Sequence, residues 1–160
     1  MKIKSFVVIV ASLIGFVATA ASYAGCDDDG STYFTFTNNS PYYFVYEGSS
    51  TEHGYGIKAD EGFNNYGYDT TATVAVSPGA VGHMHNCAKM AVDTTAGTIT
   101  FLPMQGTGGQ AKVVGSTITL NYSATFKGGN PYTYTCTSAQ MSCKQHESAH
   151  SDMQCECTYP

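Results

Sequence analysis

Along most of this chain, β-branched and aromatic residues alternate with polar ones at a period of two, and no other feature restricts the fold as strongly. The alternation is clearest at 32–37, 42–47, 70–76, 87–93, 98–102, 116–126 and 132–137. Successive side chains of an extended strand point to opposite faces, so each segment can bury one face and wet the other. Between them stand Asn38-Asn39-Ser40-Pro41, Ser77-Pro78-Gly79, Gly106-Thr107-Gly108-Gly109 and Lys127-Gly128-Gly129-Asn130-Pro131. These residues accept positive φ or preset a turn. Short strands with such punctuation predict an all-β fold, an antiparallel β-sandwich or partly open barrel of about seven to nine short strands. One short helix is a candidate at 139–150, where Ser138 can cap the first turn, although the apolar stripe is weak and a disulfide-bound irregular tail is the alternative. The stretch 48–69, rich in Gly, Asn and Tyr, reads as a long surface loop, and loops of that length in a small domain usually bind something.

Lys2 and Lys4 precede an apolar run at 6–20, which ends on the small residues Ala18 and Ala20 and is followed by Ser22 and Ala24. This is the pattern of a cleaved secretory signal peptide at 1–24, leaving 25–160 as a single β-rich domain that is secreted or periplasmic. The run is about 15 residues, short of the roughly 20 a spanning helix needs. Tyr23-Ala24-Gly25-Cys26 approaches a bacterial lipobox with Tyr23 in place of Leu, but lipoprotein anchoring through Cys26 would strand one cysteine. All six cysteines, Cys26, Cys87, Cys136, Cys143, Cys155 and Cys157, follow the leader, which predicts disulfides formed in an oxidising compartment. Loop closure is cheapest between near neighbours, so Cys26 is expected with Cys87 and the last four among themselves. A nested tail, Cys143 with Cys155 and Cys136 with Cys157, would satisfy that rule. A metal-binding reading of the cysteines wants a CxxC-type pair, and none is present.

The seven basic residues are all Lys, so the bidentate Arg fork used on phosphates and base edges is missing and nucleic acid is not an expected partner. Without the leader, five Lys face twelve acidic residues, a net charge of about −7 that repels anionic membranes as well. Asp27, Asp28 and Asp29 read as a solvated acidic terminus.

Two histidine motifs bear on metal chemistry. His146-Glu147-Ser148-Ala149-His150 fits HExxH, in which two imidazoles one helical turn apart reach zinc and the Glu polarises water; Glu156 falls where a metzincin protease has its third ligand. Met153 replaces the Gly that such a chain uses to turn back, and no Met-turn sequence follows. His83 and His85 share one face of a strand, a spacing suited to zinc or copper, with Met84 and Met90 as soft neighbours. The pair invites comparison with copper/zinc superoxide dismutases, but the further His and Asp motifs of that family's two-metal site do not follow. A composite site would need both clusters to meet with His53. No nucleophile elbow or phosphate loop occurs, and carboxylates such as Glu47, Glu52, Asp60 and Glu61 show no diagnostic spacing for glycoside hydrolysis.

Tyrosine is the remaining signal. Tyr55, Asn64, Asn65, Tyr66 and Tyr68 cluster in the 48–69 stretch, and amphipathic rings beside amides make adaptable binding surfaces for sugars or proteins. The order Asn38-Asn39-Ser40, His53-Gly54, Pro78-Gly79 and Cys87 in an all-β chain is similar in layout to aegerolysin-type membrane-binding proteins. That resemblance implies lipid binding, against which stand the acidic charge and the absence of Trp. The leading expectation is a secreted, disulfide-stabilised β-sandwich, a binding protein or effector that acts on a cell-surface glycan or protein without catalysis. A zinc- or copper-binding protein, and with it a HESAH metallopeptidase using Glu147, is the alternative.

Overall fold

The structure is a computed structural model and describes residues 31–66, 73–88, 94–127, 130–147 and 153–160. The proposed signal peptide and Cys26 fall outside these residues, as do Tyr68 and His150. The described residues form twelve β-strands and one 3-10 turn at Gly108–Gln110, with no α-helix. The strands are β1 (Ser31–Asn38), β2 (Tyr43–Glu52), β3 (Gly54–Ala59), β4 (Phe63–Asn65), β5 (Val74–Val76), β6 (Val81–Ala88), β7 (Thr94–Gln105), β8 (Lys112–Val113), β9 (Ile118–Lys127), β10 (Asn130–Ser138), β11 (Ser142–Glu147) and β12 (Met153–Tyr159). They build two sheets, one of order β11-β12-β1-β6-β3 and the other β10-β9-β7-β2-β5-β4 with β8 added to β7. All pairings are antiparallel except that of β1 with β12, which brings the first and last described strands side by side in parallel.

The expected all-β sandwich is therefore present, with more strands than expected. The additional ones come from two places. The supposed loop at 48–69 contains the second half of β2, all of β3 and β4, and only short turns between them. Its residues are polar because β2 from Gly48 onward and the edge strands β3 and β4 keep one face in solvent, not because the backbone is unpaired. The helix candidate at 139–150 is instead a turn followed by β11. The sixth strand starts at Val81 and takes in Cys87 and Ala88, and the rest of the expected strand at 87–93 lies outside the described residues.

The alternation sorts residues as the period of two requires. Phe34, Phe36 and Met84 from one sheet meet Phe44, Val76, Ile99, Phe101, Ile118, Leu120 and Tyr122 from the other in a continuous core. Phe36 and Phe101 cross edge to face at 4.7 Å, as do Phe34 and Tyr122 at 4.9 Å; such geometry contributes about 0.5–1.5 kcal/mol beyond area burial. Tyr122 lies against Thr51 and Asn86, and burial pushes its phenol up from 10.0.

Cys155 and Cys157, two apart on β12, both face this core. The register of β11 on β12 sets Cys143 opposite Cys157, and these two are bonded; Cys136, arriving from β10 of the other sheet, bonds Cys155. The pairing is crossed, not nested as loop length alone suggests, because cross-strand register decides which sulfur Cys143 meets. The first bridge staples a hairpin and the second ties the two sheets together. The expected Cys26–Cys87 bridge lies outside the described residues and side chains.

The step between sheets that matters for the site is the β3–β4 turn. Gly62 has φ 84°, and a Cβ there would collide with the Val81 carbonyl. Only glycine lets the chain cross so closely over β6 and join β4 to the other sheet.

Candidate functional site

On the outer face of the second sheet, opposite the main core, Asn64, Ala75, Val45 and Leu102 lie in one cross-strand row over β4, β5, β2 and β7. The neighbouring pair Tyr43 and Met104 flanks it. Val45, Ala75, Met104 and Tyr66 form a small second apolar cluster there, with Tyr43, Leu102 and Ala111 packed against it. Tyr66 follows directly on β4 and folds back over the sheet until it is only 5% exposed. Its hydroxyl donates to the Gly106 carbonyl at 2.6 Å, its backbone N–H donates to Thr73 at 2.9 Å, and its ring meets Tyr43 at 5.2 Å. A sheet face that would otherwise be solvated is thus roofed at one corner.

Between roof and sheet edge lies a cleft of about 220 Å³ lined by Tyr43, Asn64, Asn65, Tyr66, Ala75, Ser77 and Thr107. Asn64 and Asn65 are both exposed, with Asn64 in the outer row beside Ala75 offering an amide donor and acceptor and Asn65 bordering the cleft at the end of β4; Thr107 and Ser77 add hydroxyls, and Tyr43 contributes a half-buried ring. Three of the five residues singled out from sequence, Asn64, Asn65 and Tyr66, come together here. Tyr66 acts through the shape it gives the wall, since its hydroxyl is committed to Gly106. Tyr68 and the side chain of Tyr55 lie outside the described set. Tyr43, Ser77 and Thr107 were missed by sequence reasoning; Tyr43 looked like an ordinary strand residue, and the other two sat in turns.

The cleft's far wall depends on Asn38. This buried side chain donates through Nδ2 to the carbonyls of Tyr42 (2.7 Å), Val76 (3.2 Å) and Ser77 (3.1 Å), while Oδ1 accepts from the Ser40 N–H and hydroxyl at 3.1 and 2.7 Å. It fixes the ends of β1, β2 and β5 to one another and places Ser77 beside Tyr43.

His83, His85 and His146 lie on the outer face of the other sheet. His83 and His85 do share one face of β6, as their spacing requires, but their Nδ1 atoms are engaged separately. His85 is buried and donates to Asp60 at 2.6 Å; His83 contacts the Thr35 hydroxyl at 3.2 Å. His146 lies on β11, in the row that runs through Gln154 and Tyr33 to His85. Three strand spacings, about 14 Å, separate the two imidazole-bearing strands, too far for a shared ion. His53 sits apart in the β2–β3 turn with φ 57°. His146 and Glu156 are neighbours, with Nε2 3.3 Å from Oε2, in an exposed cross-strand ion-pair geometry. The helix that HExxH chemistry uses is not formed at 142–147, and the side chain of Glu147 lies outside those described. Among the described residues, the group of three or more potential ligands that converges is the set of four cysteines Cys136, Cys143, Cys155 and Cys157.

The bridges point to an oxidising compartment. Among the described residues no helix is long and apolar enough to cross a membrane. No protein-family model matches the chain, and no curated protein matches it significantly.

Proposed function

We propose that this chain is an exported, non-catalytic binding protein, an effector acting at a cell surface, whose cleft on the second sheet takes one sugar unit of a glycan. The observation that carries the reading is the lining itself: the rings of Tyr43 and Tyr66, two exposed asparagines, and the hydroxyls of Ser77 and Thr107 around a depression of about 220 Å³. Sites for drug-sized ligands occupy roughly 300–1,000 Å³, so this one suits a single ring with its hydroxyls. A protein partner would need about 800 Å² of matching surface, for which the cleft supplies only a corner. A sugar presents an apolar C–H face to Tyr43 and hydroxyls to Asn64, Asn65, Ser77 and Thr107, which is the complement these groups favour. The apolar run and small residues at 6–24 support export, and the two described disulfides suit a protein that works outside the cell.

The test is a glycan array followed by calorimetry on the best ligand, comparing the wild type with Tyr43→Ala and with Asn64→Ala/Asn65→Ala. The expected outcome is a loss of about tenfold or more in affinity for each variant, equivalent to about 1.4 kcal/mol. A glycan bound equally well by all three proteins, or no glycan bound by the wild type, would overturn the assignment.

A further inference from the structure

We propose that Cys136, Cys143, Cys155 and Cys157 form a redox-gated zinc site: two disulfides when oxidised, and a tetrathiolate that binds one Zn²⁺ when reduced. Their four Sγ atoms all lie within 4.8 Å of one another. Bonded partners must be close, but nothing in a pair of disulfides obliges the two bridges to touch. Here they do, since Cys157 Sγ is 3.8 Å from Cys136 Sγ and 3.5 Å from Cys155 Sγ, each a sulfur of the other bridge. In a zinc–thiolate tetrahedron with Zn–S bonds of about 2.3 Å, the sulfurs stand about 3.8 Å apart. The distances between sulfurs of different bridges thus already approach those of a closed structural zinc site, and reduction frees the two bonded pairs to separate to the same spacing.

The spacing concealed this. Zinc ribbons bring their cysteines together in CxxC knuckles, whereas here three strands do it. Cys155 and Cys157 share the inner face of β12, Cys143 lies opposite Cys157 on β11, and Cys136 enters from β10 of the second sheet. Cys136, Cys155 and Cys157 are buried and Cys143 is half-buried, so a bound ion would be shielded from water with no position left open for substrate. A zinc ion would also replace both links that the bridges supply, within the β11–β12 hairpin and between the sheets.

The chemistry balances with a phosphine or dithiol reductant. Each disulfide takes two electrons and two protons to give two thiols; a phosphine supplies the electrons and, with one water, leaves as its oxide. Zinc then displaces the four thiol protons, so uptake strengthens as pH rises.

The experiment uses the full chain and its Cys26→Ser/Cys87→Ser variant, each oxidised or reduced with a phosphine and desalted without oxygen. Co²⁺ is titrated as a spectroscopic probe and then displaced by Zn²⁺, with sheet content followed by circular dichroism. Expected are one Co²⁺ per reduced chain with thiolate charge-transfer and tetrahedral ligand-field bands, no such bands in the oxidised chain, and affinity weaker by about tenfold or more in Cys143→Ser. If the reduced chain keeps its sheet signal and takes no cobalt, the proposal fails. If reduction unfolds the chain, Zn²⁺ must restore the sheet signal, and failure to do so overturns the proposal equally.

Discussion

Asn38 does more for this protein than its place in a turn-forming string reveals. Its amide serves three carbonyls and two Ser40 groups while fully buried. Replacement by Ala leaves several buried backbone acceptors without a donor, at about 1–3 kcal/mol for each group left dry. Asn38→Ala should therefore lower stability by about 2–4 kcal/mol in urea denaturation, and it should weaken the glycan binding proposed for the cleft even where folding is kept, because Ser77 loses its anchor. Asn38-Asn39-Ser40-Pro41 was legible as a turn, since each residue suits one. That the side chain clamps β5, nearly forty positions away, was not, because a hydrogen bond of this kind depends on which strand the fold places beside it.

At the scale of elements, the tail from 136 to 160 shows how a motif is overruled. His146 and His150 have helical spacing, and helix propensity at 139–150 is unexceptional, yet the segment pairs as a strand with β12 from Ser142 to Glu147. The pairing places Cys143 against Cys157 and satisfies the backbone of β12, whose other edge is already taken by β1. Few buried contacts would reward a helix here, because its apolar stripe is thin. The crossed pairing can be checked by cleavage at Met141 and Met153 and after Glu156, which separates all four cysteines. The expected products are Cys136 linked to the fragment carrying Cys155, and Cys143 linked to the fragment carrying Cys157. Recovery of Cys136 with Cys157 would show that the nested alternative forms instead.

For the whole molecule, the sandwich is joined by its aromatic core, by the Cys136–Cys155 bridge and by a polar contact between sheets at Tyr122. The Asn86 amide donates to the Tyr122 hydroxyl at 3.4 Å, and Thr51 lies at 3.2 Å from the same oxygen. Burial raises the Tyr122 pKa above 10.0, so the folded state resists its ionisation. Below that value the phenol is neutral in both states and its contribution to stability is complete. Above it the unfolded chain ionises first, and stability declines until the folded pKa is passed. Urea midpoints measured from about pH 8 to about pH 11 should fall, and Tyr122→Phe should start about 1 kcal/mol lower from its lost hydrogen bonds but decline less steeply. An equal slope in both proteins would show that burial of Tyr122 does not govern the alkaline limb. The sequence by itself determined the fold class, the sharing of one face by His83 and His85, and Asn64, Asn65 and Tyr66 as residues to watch. Each of these follows from composition or from a period along the chain, which local stereochemistry enforces. Only the tertiary structure decided that β1 and β12 pair in parallel, that the bridges cross, that the histidine clusters stay apart, and that Tyr43, Ser77 and Thr107 complete the cleft. Those are contacts between residues distant in sequence, set by strand order and register, and strand order is chosen by burial of the whole core and not by any one segment.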